Sequence, residues 1–473
     1  MRNILLITAD QFRYDMLGHL AKHPVETPSL DRLAQDGIRF DNAYCPYPMC
    51  VPARASIMTG LRSCDHGVYY NDQGWADGLP TLPGRLAENG YYTTEVGKTH
   101  FLPKRRHGGF HRVWETDLAY IKELNARGLS RFDAKARRGK YGSAFKTTPT
   151  HLPDELYPSI RTTDLALEEL RVIADRRRCR QFGYEAFFMW LSFFNPHTPC
   201  DPPEPYFSMY DRNKLAPFVR SEAELKNFSK PLLRSREEWR FMDDEWMASI
   251  RAQYMGDVTL IDHQIGRVLT ALGDLGLRDN TLIIFTADHG DYLGDHWLQQ
   301  KGFFHEPSAR VPMLFNGPDV APGQTCREPV SLLDLYLTLL NYEDLWMPTL
   351  RTPHGRLVYQ NAEDRPGRSL LGALTGQERS DPDRVVVSES AIYGRHLMLR
   401  YRNLKYSHYF DSGEWDVFDL EKDPQELNNL KAEMRLEDLP APMQASFREV
   451  DDKMLKWKDG FYYFQDKLRP MFT

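Results

Sequence analysis

Along the chain, short unbroken apolar runs alternate with stretches in which apolar residues recur every three or four positions. Ile4 to Thr8 is such a run and leads into Asp10, which predicts a buried strand whose carboxyl end delivers an acidic side chain. Thr27-Pro28, then Leu30, Leu33, Ala34 and Gly37, combine an N-cap, a first-turn proline, an apolar stripe and a terminating glycine. A helix over 28–36 is expected. Ile38 to Tyr44 reads as a strand, and Pro52 to Thr59 as a short helix closed by Gly60. Leu82 to Asn89 predicts a helix ending at Gly90, followed by a strand from Tyr91 to Val96. Ala186 to Phe194 has the composition of a fully buried strand. From Glu245 to about Leu277, Ile250, Tyr254, Val258, Ile261, Ile265, Val268, Leu269 and Leu272 fall at helical spacing and predict one long amphipathic helix. Thr281 to Thr286 is then a strand ending in Ala287-Asp288-His289-Gly290. Strands alternating with helices predict an α/β fold, a large mixed and mostly parallel sheet flanked by helices.

Two regions break this pattern. Residues 105–158 are polar and basic, with Arg137, Arg138 and Lys140 close together, and read as an insertion or lid. Beyond about Asp381, short runs at Val385 to Val387, His396 to Tyr401 and Trp415 to Leu420 predict a small antiparallel sheet. The expected division is a large α/β domain over 1–380 and a smaller C-terminal α+β unit over 381–473. Near the terminus, the aromatic stretch Phe461 to Phe464 needs a cover, and a subunit contact there points to a homodimer or a dimer-based tetramer.

Composition narrows the class. With 60 Lys+Arg against 66 Asp+Glu the net charge is −6, so no global basic field favours nucleic acid. A chain of 473 residues that is 41% hydrophobic and 12% aromatic is folded rather than disordered. Its longest apolar run, Ala186 to Phe194, is far short of the roughly 20 residues of a membrane helix. The first residues lack a signal-peptide pattern, so Met1 is expected to begin the mature chain. Cys45, Cys50, Cys64, Cys179, Cys200 and Cys326 are sparse and irregularly spaced, unlike a disulfide or zinc framework, which favours the cytoplasm. Without a signal-peptide pattern, the glycosylation acceptor match at Asn227-Phe-Ser is set aside.

The sharpest local motif is Cys50-Val-Pro52-Ala-Arg54. Given the numbers of cysteine, proline and basic residues, a C-x-P-x-[KR] match arises by chance only ~0.05 times in this chain. Cys50 would sit just before a helix, where free N–H groups favour negative charge, with Arg54 one turn along on the same face. A lone cysteine there is usually a small buried side chain; the added Pro and Arg favour an anion-handling nucleophile. The spacing of three residues excludes the Cys-dependent phosphatase loop, which needs five. A second cluster, Asp288-His289-Gly290-Asp291 with Gly294-Asp295-His296, follows an apolar strand. Asp288 and His289 joined by Asp10 supply oxygen and nitrogen donors suited to a divalent cation, at the strand ends where α/β folds place ligands. Asp291 and Asp295 are expected to be turn or capping residues. Lys98, His100, His197 and Lys301 complete the candidates; Lys98, His100 and His197 follow strand ends.

Cys50-x-Pro52-x-Arg54, Gly97-Lys98-x-His100, Asn195-Pro-His197-x-Pro199, Asp288-His289-Gly290-x-x-x-Gly294, Lys301 and Glu306-x-x-x-Arg310-Val-Pro312, in this order, resemble the sulfatase family of the alkaline phosphatase superfamily. Phe418-Asp-Leu-x-x-Asp423-Pro-x-Glu-x-x-Asn429-Leu resembles that family's C-terminal segment, so the likeness covers nearly the whole chain. It implies an alkaline phosphatase-like fold and oxidation of Cys50 to Cα-formylglycine by a formylglycine-generating enzyme. It also implies one divalent cation, usually Ca²⁺, held by Asp10, residue 50, Asp288 and His289. The hydrated aldehyde would be the nucleophile, supported by Arg54 and Lys98. His100 would take a proton from its second hydroxyl, and Lys301 or His197 would meet the departing oxygen. Gln11, His197 and Lys301 are placed at the substrate, a small anionic ester.

Asp10-Gln11 and Asp288-His289 depart from the acid pair and the Asp-Asn pair of many sulfatases and are similar to the branch of phosphonate monoester hydrolases and choline sulfatases. Two carboxylates and one imidazole make Mn²⁺ a competitor to Ca²⁺. Lys98-Thr-His100 looks sulfatase-like, so sulfate esters are the expected substrates. Phosphonate monoester or phosphodiester cleavage is the alternative, and an inactive binding protein of this fold a second one. Residues 105–158 and 200–243 are expected to shape specificity, and Pro202, Pro203, Pro205 and Tyr206 to line the entrance or to form turns.

Overall fold

The computed structural model describes residues 1–75, 78–101, 108–115, 118–131, 145, 147–175, 183–345, 350–351, 357–359, 365–377, 381 and 383–455. In chain order the main body contributes β1 (Asn3–Asp10), β2 (Ile38–Phe40), β3 (Ala43–Tyr44), β4 (Tyr91–Gly97), β5 (Arg112–Glu115) and β6 (Ala186–Pro196). It continues with β7 (Thr281–Ala287), β8 (Arg310–Val311), β9 (Met313–Asn316), β10 (Gln324–Cys326) and β11 (Val330–Ser331). Eight of these form one sheet in the order β10-β2-β9-β7-β1-β6-β4-β5, while β11, β3 and β8 form a small one. In the large sheet only β9 runs antiparallel to its neighbours, so it is mixed and mostly parallel as the apolar runs predict. All eight residues of β1 are buried, because parallel neighbours lie on both edges and helices pack on the sheet. The helices Pro28–Gln35, Pro158–Ala174 and Asp244–Asp274 pack together as one group, and Cys50–Thr59, Leu82–Glu88 and Asp334–Tyr342 as another. Among the described residues, no helix is long and apolar enough to cross a membrane.

The long helix also finishes a neighbour. Thr27 occupies the N-cap position of Pro28–Gln35, but its hydroxyl donates to Asp31 at 2.9 Å and makes no capping bond. Asp262, from the long helix, instead accepts the N–H groups of Ser29 at 3.0 Å and Leu30 at 2.8 Å. Those orphan donors are met from another element.

Past β12 (Leu350–Arg351) and β13 (Leu357–Tyr359), an antiparallel pair, the C-terminal sheet is a meander of β14 (Val386–Ser390), β15 (His396–Tyr401), β16 (Leu404–Tyr409) and β17 (Glu414–Asp419). Helix Ala441–Leu455 contributes Met443, Phe447, Val450 and Met454 to a core with Leu397, Leu399, Tyr406 and Val417.

Two expectations are corrected. Ile38 to Tyr44 is two strands in different sheets, because the chain turns at Asp41-Asn42, where Arg39 Nε bonds Asp41 at 3.0 Å. The segment read as an insertion contributes β5, the edge strand of the main sheet parallel to Thr94–Gly97, and the helix Leu118–Ala126. Residues 200–243 include the helix Lys230–Trp239. Arg137, Arg138, Lys140, Cys179 and Phe461 to Phe464 lie outside the described residues.

The late sequence motifs tie the C-terminal sheet to the main body. Lys405 on β16 is 1% exposed and donates to Glu306 and Glu426, each at 2.7 Å. Glu306 also pairs with Arg310 at 3.1 Å and accepts the Tyr44 hydroxyl at 3.0 Å. Asn429 holds the end of the segment by accepting Val417 N at 3.0 Å and donating to Asp416 at 2.6 Å. Burial opposes ionisation of Glu306, but Lys405, Arg310 and Arg400 outweigh it and bring its carboxyl from 4.5 down to about 2. A depressed acid stabilises the fold fully above its unfolded value and loses that contribution as pH falls through the folded one. In urea unfolding, Lys405→Met is expected to cost on the order of 3–5 kcal/mol, since two buried carboxylates lose their cation. Glu306→Gln is expected to flatten the decline in stability between pH 4.5 and about 2; an unchanged acid limb would contradict the pairing.

Candidate active site and metal centre

The candidate residues gather where the parallel strands end. Asp10 closes β1, and a register shift between Ala9 and Asp10 pairs Asp10 with Pro196. Such an irregularity re-aims a side chain at a strand's end. Asp288 and His289 follow β7, Lys98 and His100 follow β4, and His197 follows β6. Cys50 is the first residue of the helix Cys50–Thr59, with Met49 as N-cap, one step further into the helix than its sequence position implies. All ten residues of that helix are buried, and Asn71 accepts the N–H of Val51 at 3.0 Å.

Asp10, Cys50, Asp288 and His289 each offer one ligand atom, all within 4.8 Å of one another. Cys50 Sγ lies 3.2 Å from His289 Nε2 and 3.6 Å from Asp10 Oδ1. His289 Nδ1 donates to Gly290 O at 2.9 Å, which leaves the Nε2 lone pair facing the cluster. Asp288 Oδ1 accepts the backbone N–H groups of Gln11 and His289, each at 3.0 Å, while its Oδ2 takes Arg54 Nε at 2.9 Å. Glycine follows His289 because a Cβ on Gly290 would fall 2.0 Å from Pro307 O. Two carboxylates, an imidazole whose free nitrogen points inward and a side chain at residue 50 fit a divalent cation.

Cations surround the cluster. Lys98 Nζ pairs directly with Asp10 Oδ2 and sits 4.8 Å from the Phe194 ring centroid. Arg54 is wholly buried, donates to Ser192 Oγ at 2.8 Å and to Lys98 O, and keeps Nη2 without a hydrogen bond, 3.6 Å from Asp10. Burial and Cys50 push the Asp10 carboxyl up, but Lys98, His197 and Arg54 bring it down to about 2. Burial also opposes ionisation of the Cys50 thiol, yet Lys301, Lys98 and His289 hold it well below its ordinary range. The field at residue 50 therefore favours an anion. His100 and His197 also act electrostatically on the Cys50 side chain, His100 from a left-handed backbone at φ 53°. His197 Nδ1 is engaged with Thr198 O at 2.8 Å, and burial, then Lys301 and Lys98, hold its pKa down, so it is neutral.

Gln11 stands beside the cluster without joining it. Its Nε2 donates to Asp291 Oδ2 and to Gln300 Oε1, and its Oε1 accepts from Lys301 Nζ. Asp291 does make the expected turn bond, accepting Leu293 N at 3.0 Å, but it is fully buried and orients the Gln11 amide as well. Asp295 is neither turn nor cap in role: it forms buried ion pairs with Arg13 at 2.8 Å and Arg251 at 2.7 Å. Sequence reasoning missed Ser192, which donates to Lys98 O at 2.8 Å and accepts from Arg54. A single polar residue in the run AFFMWLSFF was the available signal. It also missed the anchor of the His197 loop, where Asn195 donates to Tyr157 OH at 3.0 Å and Tyr157 donates to Asp257 at 2.7 Å. Residues 204–207 form turns, and Tyr206 contacts His263 Nδ1 on the long helix at 2.9 Å.

A family model described as Sulfatase matches residues 2–344. The chain is 31% identical over 469 aligned residues to an arylsulfatase of Clostridium perfringens, with 90% of each chain covered. It is 29% identical over 437 residues to a choline-sulfatase of Rhizobium meliloti, covering 90% of this chain and 82% of that one. Among solved structures, the phosphonate monoester hydrolase SpPMH from Silicibacter pomeroyi superposes with a TM-score of 0.77 at 26% identity, over 96% of this chain and 95% of the other. From Asp10 at the end of the first strand to Lys301 beyond the seventh, every candidate group falls inside the matched region, and the chain belongs to the sulfatase family of hydrolases.

Proposed function

We propose that this protein hydrolyses sulfate esters with a formylglycine nucleophile derived from Cys50. The observation that carries this reading is the placement of residue 50: first in a buried helix, 3.2 Å from His289 Nε2, in a field that favours an anion. Similarity to an arylsulfatase and a choline-sulfatase supports sulfate as the group removed. A divalent cation, Ca²⁺ or Mn²⁺, would be held by Asp10, residue 50, Asp288 and His289 and would supply positive charge facing the nucleophile and the ester oxygens. A hydrated aldehyde at residue 50 supplies two hydroxyls, one to attack sulfur and one whose deprotonation lets sulfate leave as the aldehyde re-forms.

The chain's own groups divide the remaining work. Lys98 and Arg54, both buried, neutralise the ester's sulfuryl oxygens, and Arg54 Nη2 has a donor to spare. His100, which follows β4 at the site, takes the proton of the second hydroxyl. Lys301, held at Gln11, meets the departing alcohol oxygen with His197. A serine would lack the second hydroxyl and would retain the sulfate. A phosphonate monoester or phosphodiester substrate is the second reading, favoured by the Asp288-His289 pair and by the similarity to a phosphonate monoester hydrolase structure.

Mass spectrometry of the peptide carrying residue 50 is expected to show a species about 18 Da lighter than the thiol form, with Cys50→Ala lowering kcat at least about 1,000-fold; free thiol alone in active enzyme would refute the nucleophile. With aryl sulfate and aryl phosphonate esters of the same phenol, kcat/KM is expected to be higher for the sulfate, and the reverse order would install the second reading. Chelation followed by desalting is expected to abolish turnover, with Ca²⁺ or Mn²⁺ restoring it and Asp288→Asn preventing that recovery; full activity in the metal-free protein would remove the cation from the site.

A further inference from the structure

The loop that carries Lys301 is unusual in its backbone. Leu293, Gly294, His296, Trp297, Gln300 and Gly302 all lie at positive φ, and four of the six are not glycine. Left-handed conformations at such residues cost energy and persist only where the surroundings over-determine them. On the inner side the restraint is visible: Tyr292 N donates to Gln300 O at 2.7 Å, and Lys301 Nζ is held by Gln11. The outer restraint comes from the C-terminal sheet. Ser390, the last residue of β14, is completely buried and donates its hydroxyl to Gly302 O at 2.7 Å. The same oxygen accepts Ile392 N at 3.4 Å, so its single proton is committed to the carbonyl of the residue after Lys301. Ile392 closes over the same point: a Cβ on Gly302, at φ 118°, would lie 2.1 Å from Ile392 Cδ1.

The strand end does not serve that loop alone. Glu389 N donates to Pro46 O at 2.9 Å, in the segment leading to Cys50, and Ala391 O accepts the Tyr70 hydroxyl at 3.1 Å. Glu389 and Ser390, adjacent at the end of β14, thus join the approach to residue 50 to the loop bearing Lys301. We infer that Ser390 is a positioning residue for Lys301, setting from the C-terminal sheet where the ammonium group meets the departing oxygen. The inference rests on the reading of Lys301 as the leaving-group cation. Glycine at 302 leaves the Gly302–Phe303 peptide, next but one to Lys301, free to rotate, and the Ser390 hydroxyl holds it in one orientation. Misplacement of a catalytic group by about 1 Å can cost on the order of 100-fold in rate.

The test compares Ser390→Ala, Lys301→Ala and the double variant on a series of aryl sulfates spanning the acidity of the leaving phenol. Ser390→Ala is expected to lower kcat about 10-fold for poor leaving groups and little for activated ones, with KM within about 2-fold of the parent enzyme and no further loss in the Lys301→Ala background. Ile392→Ala, at a half-buried position, is the companion variant should Ser390→Ala not fold, and is expected to give the same leaving-group dependence in weaker form. Equal losses across the series, or losses that add in full to those of Lys301→Ala, would overturn the positioning role. A Lys301→Ala enzyme with no leaving-group dependence would instead overturn the reading of Lys301 on which the inference rests.

Discussion

Arg54 meets Asp288 at 2.9 Å with both side chains out of solvent, and this buried pair ties the helix that presents residue 50 to the end of β7. Each partner stabilises the other there, since an isolated buried charge is far costlier than a paired one. Asp288 Oδ1 also accepts the backbone N–H groups of Gln11 and His289, and Arg54 Nη1 donates to Ser192 and Lys98 O, which leaves Nη2 over. One ion pair therefore connects the ends of β1, β4, β6 and β7. Asp10 and Lys98 repeat the pattern beside it, so the site holds two carboxylates and two cations before any metal is counted.

That arrangement gives local meaning to a global number. A net charge of −6 describes the whole chain, whereas Arg54, Lys98 and Lys301 all act on residue 50 and favour an anion there. The same principle, charge neutralised by groups from distant segments, joins the C-terminal sheet to the main body through Lys405, Glu306 and Glu426. The loop after β7 runs between these two charged centres, from Asp288 through Lys301 to Glu306.

Much of the architecture was legible because a parallel sheet needs strands that are apolar on both faces. Ile4 to Thr8, Ala186 to Phe194 and Thr281 to Thr286 announce themselves in this way, and each ends at a polar residue of the site. The antiparallel sheet was harder to read. Leu404–Tyr409 (LKYSHY) has no apolar run, and Lys405 looks like a solvent-facing position, yet it is buried because Glu306 and Glu426 come to meet it. Arg112–Glu115 was hidden for a related reason: an edge strand with only one neighbour has less need of apolar residues on both faces.

The sequence by itself determined the chemical inventory and its order: an acid after the first strand, Cys50 and Arg54 one helical turn apart, an Asp-His-Gly turn after an apolar strand. Each of those is local, fixed by strand ends and helix periodicity, so a linear pattern records it. Only the tertiary structure decided that Gln11 turns to Asp291 and Lys301 rather than to the candidate metal ligands, and that Asp295 is an ion-pair hub. It alone brought Ser390 to the carbonyl of Gly302, next to Lys301. These are hydrogen bonds and ion pairs between residues far apart in the chain. A buried polar group takes whichever partner the packing brings within reach, and no local pattern specifies that partner.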